Sequence, residues 1–190
     1  MHEYTMYEDK IKSKKESFMD PQYIIDKLKL QPNTLEGGYY ADTYTSTIEI
    51  PNKDLPGFTP VNGDHSICSA IYYFLDGNDF SAMHKVTGDM LYHFYSGDPV
   101  EMLLLYPEGF LKQSEVCVFS NDMTFCDNPM KLIPGGTWLG SRIISGSNYA
   151  LMGVTMSPGF DPADYSIGKR EELIKQYPQQ KDLIIRLTRS

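Results

Sequence analysis

The sequence has no long apolar run and few cysteines. No apolar stretch approaches the roughly 18 residues that a membrane-spanning helix needs, so we predict no membrane association. There are three cysteines, an odd number without paired spacing, which is typical of proteins from a reducing compartment. The N-terminal region is polar and lacks the apolar core of a signal peptide. These features predict a cytoplasmic protein.

Positive charge is also scarce. Lysine and arginine number 17 against 25 acidic residues, which gives a net charge of -8. Proteins that bind nucleic acid draw much of their affinity from clustered basic residues, so we predict no nucleic-acid partner. The sequence contains neither a phosphate-cradling glycine-rich loop nor the Gly-x-Ser-x-Gly elbow of serine hydrolases. Nucleophilic catalysis is therefore poorly supported.

The length of 190 residues suits a single domain with a short extension. Residues 1–18 are expected to form a flexible arm, and residues 19–190 a single domain. Asp20 and Pro21 have the residue types of a helix N-cap and a first helical position, so a short helix is predicted after them. Two further helical segments are predicted near the C-terminus: Lys169–Tyr177 and Lys181–Leu187.

Between the helices, short apolar and aromatic runs alternate with turn residues. About eight to ten such runs recur at intervals of roughly 8 to 12 residues, a spacing typical of sandwiches and barrels. The central run, Phe80–Val100, holds two of the four histidines and closes on a Gly-Asp-Pro turn. We predict an all-β fold of antiparallel strands. The irregular segment Asn52–Asp64 is either a flap over a pocket or a long surface connection.

The run Phe80–Val100 resembles the first sequence motif of the cupins, a superfamily of small β-barrel proteins. Four motif positions can be assigned in this sequence: His84 at the first histidine, Val86 at the second, Met90 at the glutamate and Gly97 at the closing glycine. The resemblance implies that the His84 side chain faces the barrel interior.

The second cupin motif is echoed by Pro134–Leu139, where Leu139 stands at the family's last histidine. A closer match is the DUF985 or Cupin_5 group of the superfamily, whose function is largely unassigned. Five segments occur in the order found in that group: Glu36–Tyr40, Ser69–Tyr72, His84 with His93–Pro99, Pro134–Trp138 and Pro158–Asp161. The resemblance implies an antiparallel jelly-roll (cupin) β-barrel, from about Leu35 to Met156, with short flanking helices at both ends.

Cupin barrels often pair, so the resemblance also implies a homodimer. Closed two-fold pairs are the commonest oligomers. Strand alternation adds a surface for such pairing, because it places four residues on one face of the first strand: Tyr39, Thr43, Thr45 and Thr47.

A mononuclear cupin metal site needs about four nitrogen or oxygen donors from neighbouring strands. Of the family's four ligand positions only His84 keeps such a donor, because Val86, Met90 and Leu139 occupy the other three. Replacement donors would have to come from elsewhere, and three are available: His93, Glu36 and Asp89. We predict no bound metal and no cofactor.

Without a metal, the resemblance implies an apolar, aromatic interior with a few polar groups, which is the general make-up of a small-molecule site. His84 is the candidate catalytic residue. The candidate ligand-binding residues are Glu36, Tyr40, Tyr44, Met90, Tyr92, His93, Phe94 and Trp138. The aromatic and methionine side chains have an alternative role as plain core, and His84 as a buried histidine held by a neighbour.

Two functions remain open. The first is binding of a small polar or aromatic metabolite inside the barrel, without reaction. The second is a metal-independent isomerase or epimerase acting on a carbohydrate-type substrate, by analogy with the sugar-nucleotide epimerases of the cupin superfamily. There His84 would be the base and a tyrosine the acid. An acid or base paired with His84 in an open cavity would discriminate between them, and a ligand site predicts that His84 and Trp138 share one cavity.

Overall fold

The computed structural model describes residues 20–58, 63–124, 128–144 and 149–189. The arm predicted for residues 1–18 lies outside the described residues. The described chain is mainly antiparallel β-structure with short helices at both ends, as the sequence predicts.

The α-helices are α1 (Pro21–Leu28), α2 (Arg170–Gln176) and α3 (Lys181–Arg186). The strands are β1 (Gln31–Pro32), β2 (Tyr39–Thr45), β3 (Glu49–Pro51), β4 (Asp64–Ser66), β5 (Ser69–Asp76), β6 (Phe80–Lys85), β7 (Asp89–Gly97), β8 (Val100–Leu105), β9 (Ser114–Phe119), β10 (Met130–Ile133), β11 (Trp138–Ile143), β12 (Tyr149–Ser157) and β13 (Ser166–Ile167). Short 3-10 turns span Asn52–Asp54, Pro162–Asp164 and Pro178–Gln180.

Two antiparallel sheets face each other. One has six strands in the order β1-β2-β5-β12-β7-β10, the other five in the order β13-β6-β11-β8-β9, and β3 and β4 form a separate hairpin. The largest hydrophobic cluster draws side chains from both large sheets, so the core lies between them. Within the described residues the strand pairings leave both sheets open. The predicted antiparallel β-fold is therefore confirmed, and its two open sheets fit a jelly-roll sandwich, whereas the predicted closed barrel is not confirmed.

The strand β8 shows why some runs in the sequence are apolar throughout. Met102 and Leu104 point into the core between the sheets. Leu103 and Leu105 point the other way, into a second cluster formed with α2 and α3. Each buried leucine contributes about 1.5–3 kcal/mol relative to an exposed one. A strand covered on both sides has no polar face, and for this reason its sequence shows no alternation.

The helices cover the outer faces of the sheets. Asp20 caps α1, its carboxylate accepting a hydrogen bond from the Gln22 amide at 3.0 Å, and Pro21 occupies the first turn. Ile24 of α1 packs with Phe74 and Tyr149 on the outside of the six-stranded sheet. The predicted N-cap is confirmed, and α2 and α3 lie within the two predicted helical segments. No helix in the described ranges is long and apolar enough to cross a membrane.

A β-bulge interrupts β2. Asp42 pairs with Ile71 and Tyr44 with Ala70, so Thr43 is an extra residue in the ladder. The bulge reverses the alternation beyond it, while at the start of the strand Tyr39 packs edge-on against Phe74 at 6.2 Å. The face predicted for dimerisation is therefore not continuous along this strand. The homodimer stays a prediction.

The irregular segment after β3 is tied to the C-terminal part of the sandwich by His65. This buried side chain is hydrogen-bonded to Asn52 through Nδ1 and lies 2.6 Å from an Asp164 carboxylate oxygen through Nε2. Phe58 packs edge-on against the imidazole. Strands β3 and β4 pair with each other, so this segment connects the two strands of a hairpin. A buried polar network holds that hairpin against the rest of the sandwich.

Glu115 links the edges of the two sheets. It lies on β9 of the five-stranded sheet, and one of its carboxylate oxygens accepts a hydrogen bond from Lys131 of β10 at 2.6 Å. The other oxygen accepts from Lys112 at 2.5 Å and from the Tyr106 hydroxyl at 2.7 Å. Burial alone would raise the pKa of Glu115, but the three donors outweigh it and lower the pKa to about 2.

This pKa predicts how stability depends on pH. A carboxyl whose pKa is lower in the folded state stabilises the protein above its unfolded pKa and loses that contribution as the pH falls. We expect Glu115→Gln to lower the free energy of unfolding at pH 7 by about 1 kcal/mol, because the lysines are partly solvated. The difference from wild type should shrink between about pH 4.5 and pH 2, measured by urea unfolding.

The matched control is Glu172→Gln, which removes the pair between Glu172 of α2 and Lys169, the residue before that helix. Both side chains of that pair are more than 70% exposed. It should leave stability almost unchanged at every pH. A pH profile of Glu115→Gln parallel to that of wild type would contradict the inter-sheet role of Glu115.

Candidate functional site

A cavity of about 490 Å³ opens on the inner side of the six-stranded sheet. Side chains from β2, β5, β7 and β12 form one wall, and β6 with three loop segments completes the enclosure. The lining residues are Asn33, Leu35, Glu36, Tyr40, Asp42, Thr45, Ser69, Ile71, Tyr73, His84, Val86, Met90, Tyr92, Val154, Met156, Phe160, Pro162 and Tyr165. Tyr73, Met90, Tyr92 and His84 are almost fully buried, whereas Leu35 and Phe160 are exposed and mark the mouth.

His84 lies at the buried end, only 3% exposed. Its Nδ1 donates a hydrogen bond to the Ala82 carbonyl oxygen at 2.9 Å. A carbonyl oxygen only accepts, so Nδ1 carries a proton, and in the neutral form of this imidazole Nε2 is the nitrogen with the lone pair. Nε2 has no hydrogen-bond partner among the described residues, and the Tyr165 ring stacks on the imidazole with centroids 5.6 Å apart. His84 therefore offers a basic nitrogen in the cavity wall.

Glu36 provides a carboxylate beside this histidine. Oε1 lies 3.6 Å from His84 Nδ1, beyond hydrogen-bonding distance, so the two groups interact electrostatically. Ser81 donates its hydroxyl to Oε1 at 2.6 Å, and the Asn33 amide donates to Oε2 at 3.3 Å. Glu36 therefore has the position of an acid paired with His84 in the cavity.

Two local features bring these groups together. Gly37 has a φ of +108°, and a Cβ there would lie 2.3 Å from the Phe80 carbonyl oxygen, so only glycine allows the turn after Glu36 to approach β6 this closely. In β6, Ser141 pairs with Ser81 and Leu139 with His84, so one extra residue lies between them. This β-bulge lets Ser81 and His84, three residues apart, face the same side.

Three tyrosines surround the carboxylate. Burial raises the pKa of Tyr73 and Tyr92 well above the ordinary value, and the negative charge of Glu36 raises both further. Burial followed by the charge of Glu36 likewise raises the pKa of Tyr165. Tyr73 donates its hydroxyl to the Gly37 carbonyl oxygen at 2.9 Å, while the buried Tyr165 hydroxyl has no partner among the described residues. The phenols are therefore neutral hydrogen-bond donors at physiological pH.

Five of the predicted site residues line this cavity: Glu36, Tyr40, His84, Met90 and Tyr92. Tyr44 does not, and the bulge at Thr43 is the reason. Beyond the bulge the faces of β2 are exchanged, so Thr45 lines the cavity and the Tyr44 side chain is 56% exposed.

Three other predicted residues lie elsewhere. Regular alternation of β7 turns His93 to the outer face, where its Nε2 is 3.4 Å from the Thr155 hydroxyl. Phe94 shares the inner face with Tyr92 but belongs to the packed core. Its ring lies edge-on to that of Phe119, with centroids 5.5 Å apart. The expectation that Trp138 and His84 share this cavity is not met.

Trp138 lies on the outer face of β11, because its neighbour Leu139 faces inward. The indole packs with the cluster under α2 and α3, and Lys85 Nζ lies 4.8 Å from its ring centroid. This position favours the capping role over ligand contact.

Three aromatic residues that are not among the predicted site residues also line the cavity: Tyr73, Phe160 and Tyr165. Tyr73 belongs to the apolar run Ser69–Asp76, which is covered on both faces and shows no alternation to indicate the inner one. Phe160 and Tyr165 follow the last long strand, and the Pro-Gly-Phe segment within the recognised motif order was the available signal.

The described residues 52–58 and 63–66 do not line the cavity, which favours a surface connection over a flap.

The residues at the cupin metal positions do converge, since Leu139 pairs directly with His84 in the sheet. However, three of the four positions carry hydrocarbon or thioether side chains, which leaves His84 with Glu36 beside it, two donors where such a site needs about four. In the described ranges there is no group of three or more His, Cys, Asp or Glu side chains placed to hold a metal ion. These residues do not fit the metal that the superfamily implies.

The metal prediction can be checked directly. Because His84 is the one nitrogen donor at the motif positions, elemental analysis of untagged protein, purified without chelator, should show far less than one transition metal ion per chain. A stoichiometric metal that disappears in His84→Ala would contradict this prediction.

The position of Trp138 predicts a purely structural effect. We expect Trp138→Ala to lower the free energy of unfolding by about 2–3 kcal/mol, less than for a fully buried indole because the side chain is partly exposed. The exposed Tyr44→Ala should change stability by less than about 0.5 kcal/mol. Far-UV circular dichroism is the suitable probe, since the chain has one tryptophan. A neutral Trp138→Ala would show that the indole is not part of the outer cluster.

Solved structures with the same fold come from several organisms. A crystal structure of a protein from Shewanella oneidensis has a TM-score of 0.75 at 27% identity, covering 90% of this chain and 99% of its own. A hypothetical protein from Leishmania major has a TM-score of 0.77 at 20% identity with the same coverage. A cupin 2 domain-containing protein from Halorhodospira halophila has a TM-score of 0.51 at 7% identity, covering 81% of this chain and 84% of its own.

No protein with a curated description matches this sequence. The family model described as Cupin superfamily (DUF985) matches residues 22–168, which include both sheets and every residue that lines the cavity. The five ordered motifs, the sandwich and the family match agree, and the chain belongs to the DUF985 family of the cupin superfamily.

Proposed function

We propose that this protein binds a small polar or aromatic organic molecule in the cavity beside His84, without a metal ion. The supporting observation is the cavity itself, which has a volume of about 490 Å³ and polar groups gathered at its buried end. Small-molecule sites are typically concave, mostly apolar and about 300–1,000 Å³ in volume, with a few polar groups that fix orientation.

The polar groups at the buried end are complementary to a ligand that both donates and accepts hydrogen bonds. His84 Nε2 and the Glu36 carboxylate are acceptors, and the neutral Tyr165 hydroxyl is a donor without a partner among the described residues. A buried polar group that lacks a partner costs about 1–3 kcal/mol. A ligand that supplies the missing hydrogen bonds recovers this energy, which favours polar over purely apolar ligands.

A ligand-observed NMR screen of small aromatic alcohols, amines and sugars is the direct test. Ile71→Phe, which adds volume to the cavity wall, should abolish the binding of hits, because a side chain then occupies their space. Tyr44→Phe is the matched control at an exposed position of the neighbouring strand and should bind like wild type. Absence of hits with wild-type protein, or hits that bind Ile71→Phe equally well, would contradict the proposal.

A second candidate function is metal-independent isomerisation or epimerisation of a carbohydrate-type substrate. The observation that favours it is the pairing of His84 with Glu36 at 3.6 Å, since a nearby carboxylate stabilises the imidazolium formed when a base takes a proton. His84 Nε2 would remove a proton from carbon, and a neutral phenol such as that of Tyr92 would return one. The described cavity wall contains no lysine or arginine, so a phosphorylated sugar is disfavoured.

Deuterium exchange separates the two functions. Incubation of sugars with the protein in D₂O should introduce deuterium at a carbon position if His84 acts as a base, and His84→Gln should stop this exchange. Binding without exchange would leave the first proposal standing and exclude the second for those sugars.

A further inference from the structure

We propose that the cavity selects positively charged ligands, namely organic amines or quaternary ammonium groups, over neutral and anionic molecules of the same size. This inference rests on the proposed function, because it specifies the chemical class of molecule that the same cavity takes. It is carried by the charge and ring content of the wall.

The charged groups of the wall have one sign. Among the described lining residues the acidic side chains are Glu36 and Asp42, and there is no lysine or arginine. The nearby Arg189 is held outside the cavity wall by hydrogen bonds to Asp79 Oδ1 at 2.9 Å and to the Glu36 carbonyl oxygen at 3.1 Å. An anionic ligand would enter beside buried negative charge without a fixed counter-charge, which is costly in a low-dielectric site.

Glu36 has capacity left for a ligand. A carboxylate offers about four acceptor sites, and the contacts described occupy two, from Ser81 and Asn33. His84 is the remaining group that could neutralise Glu36, but its Nδ1 proton is donated to the Ala82 carbonyl oxygen, and Nδ1 lies 3.6 Å from the carboxylate. A ligand ammonium would therefore meet a carboxylate that is only partly compensated.

Besides the Glu36 carboxylate, aromatic rings in the cavity wall can bind a cation. Tyr40, Tyr73, Tyr92, Phe160 and Tyr165 all line the cavity. The faces of such rings attract ammonium groups, and combinations of aromatic rings with carboxylates are a recurring solution for amine and quaternary ammonium ligands. Neutral phenols also accept hydrogen bonds, so the unpartnered Tyr165 hydroxyl can receive an N–H of an amine.

Asp42 extends the negative charge to the mouth. Its exposed carboxylate follows Tyr40 on the inner side of β2, before the bulge. The protein carries a net charge of -8, so long-range attraction also favours the approach of cations.

Three probes that share a benzyl group test the inference: benzyltrimethylammonium, benzyl alcohol and benzylphosphonate. Their dissociation constants should be measured by NMR titration at pH 7.5 and low ionic strength. We expect the ammonium probe to bind about tenfold more tightly than the alcohol, and the phosphonate more weakly than the alcohol.

Variants of the two acidic wall residues test whether they cause the preference for the ammonium probe. Glu36→Gln should weaken ammonium binding about tenfold while leaving benzyl alcohol binding nearly unchanged, because the amide keeps shape but loses charge. The control Glu171→Gln, on the outer helix α2, should change neither. Asp42→Lys should reduce the ratio between the affinities for the ammonium probe and the phosphonate probe. Asp42 is exposed and lies outside the buried hydrogen-bond network, so this variant does not disturb the fold at Glu36.

The outcomes separate this inference from the proposed function. Equal affinities for the three probes, or tightest binding of the phosphonate, would overturn the charge selectivity while the cavity still binds small molecules. Failure of all three probes to bind at millimolar concentration would overturn both. An ammonium preference that persists unchanged in folded Glu36→Gln and Asp42→Lys would also overturn the inference, because the selectivity would then arise elsewhere.

Discussion

The cavity end of the molecule depends on one buried turn, in which Glu36 joins the two sheets. Its carboxylate accepts the Ser81 hydroxyl from β6, and its carbonyl oxygen accepts the Ala82 amide of the same strand at 2.8 Å. On the other side, Tyr73 of the six-stranded sheet donates its hydroxyl to the next carbonyl, that of Gly37. One turn thus satisfies buried groups from both layers. A charge here would be expensive if it were unpaired, and the neighbouring donors make its burial possible.

The same turn explains why the site is polar within an apolar sandwich. The interior around Met90 and Val154 is hydrocarbon, so each polar group at its end acts in a low-dielectric environment where electrostatic effects are large. Glu36 influences His84 and the surrounding phenols for this reason. Among the described residues most buried polar side chains are held by neighbours, and the two hydroxyls without a partner are those of Tyr165 and Thr137. The Tyr165 hydroxyl belongs to a residue of the cavity wall, where the proposed ligand would supply the missing hydrogen bond.

The sequence predicts side-chain positions correctly where they depend only on neighbouring residues in the same strand. Burial of one strand face predicts Met90 and Tyr92 as inward residues, because a period of two allows no other register. The prediction that Tyr44 lines the cavity is wrong because a β-bulge adds a residue to the strand, and nothing in the residue types of the strand indicates that bulge. Trp138 is misplaced because β11 is covered on both faces, so hydrophobicity does not distinguish inside from outside. The open sandwich, in place of a closed barrel, depends on hydrogen bonds between distant strands, which no local pattern specifies.

The bulge at Thr43 ties the composition of the cavity wall to the way β2 pairs with β5. With Thr43 as the extra residue, Tyr44 lies opposite Ala70 and points outward, and Thr45 lies opposite Ser69 and points inward. If Thr43 instead paired regularly, alternation would turn Tyr44 inward and Thr45 outward, and both would shift by one partner along β5. The bulge therefore decides whether a small hydroxyl or an aromatic ring lies at this point of the cavity wall, with no change in the residue types of the strand.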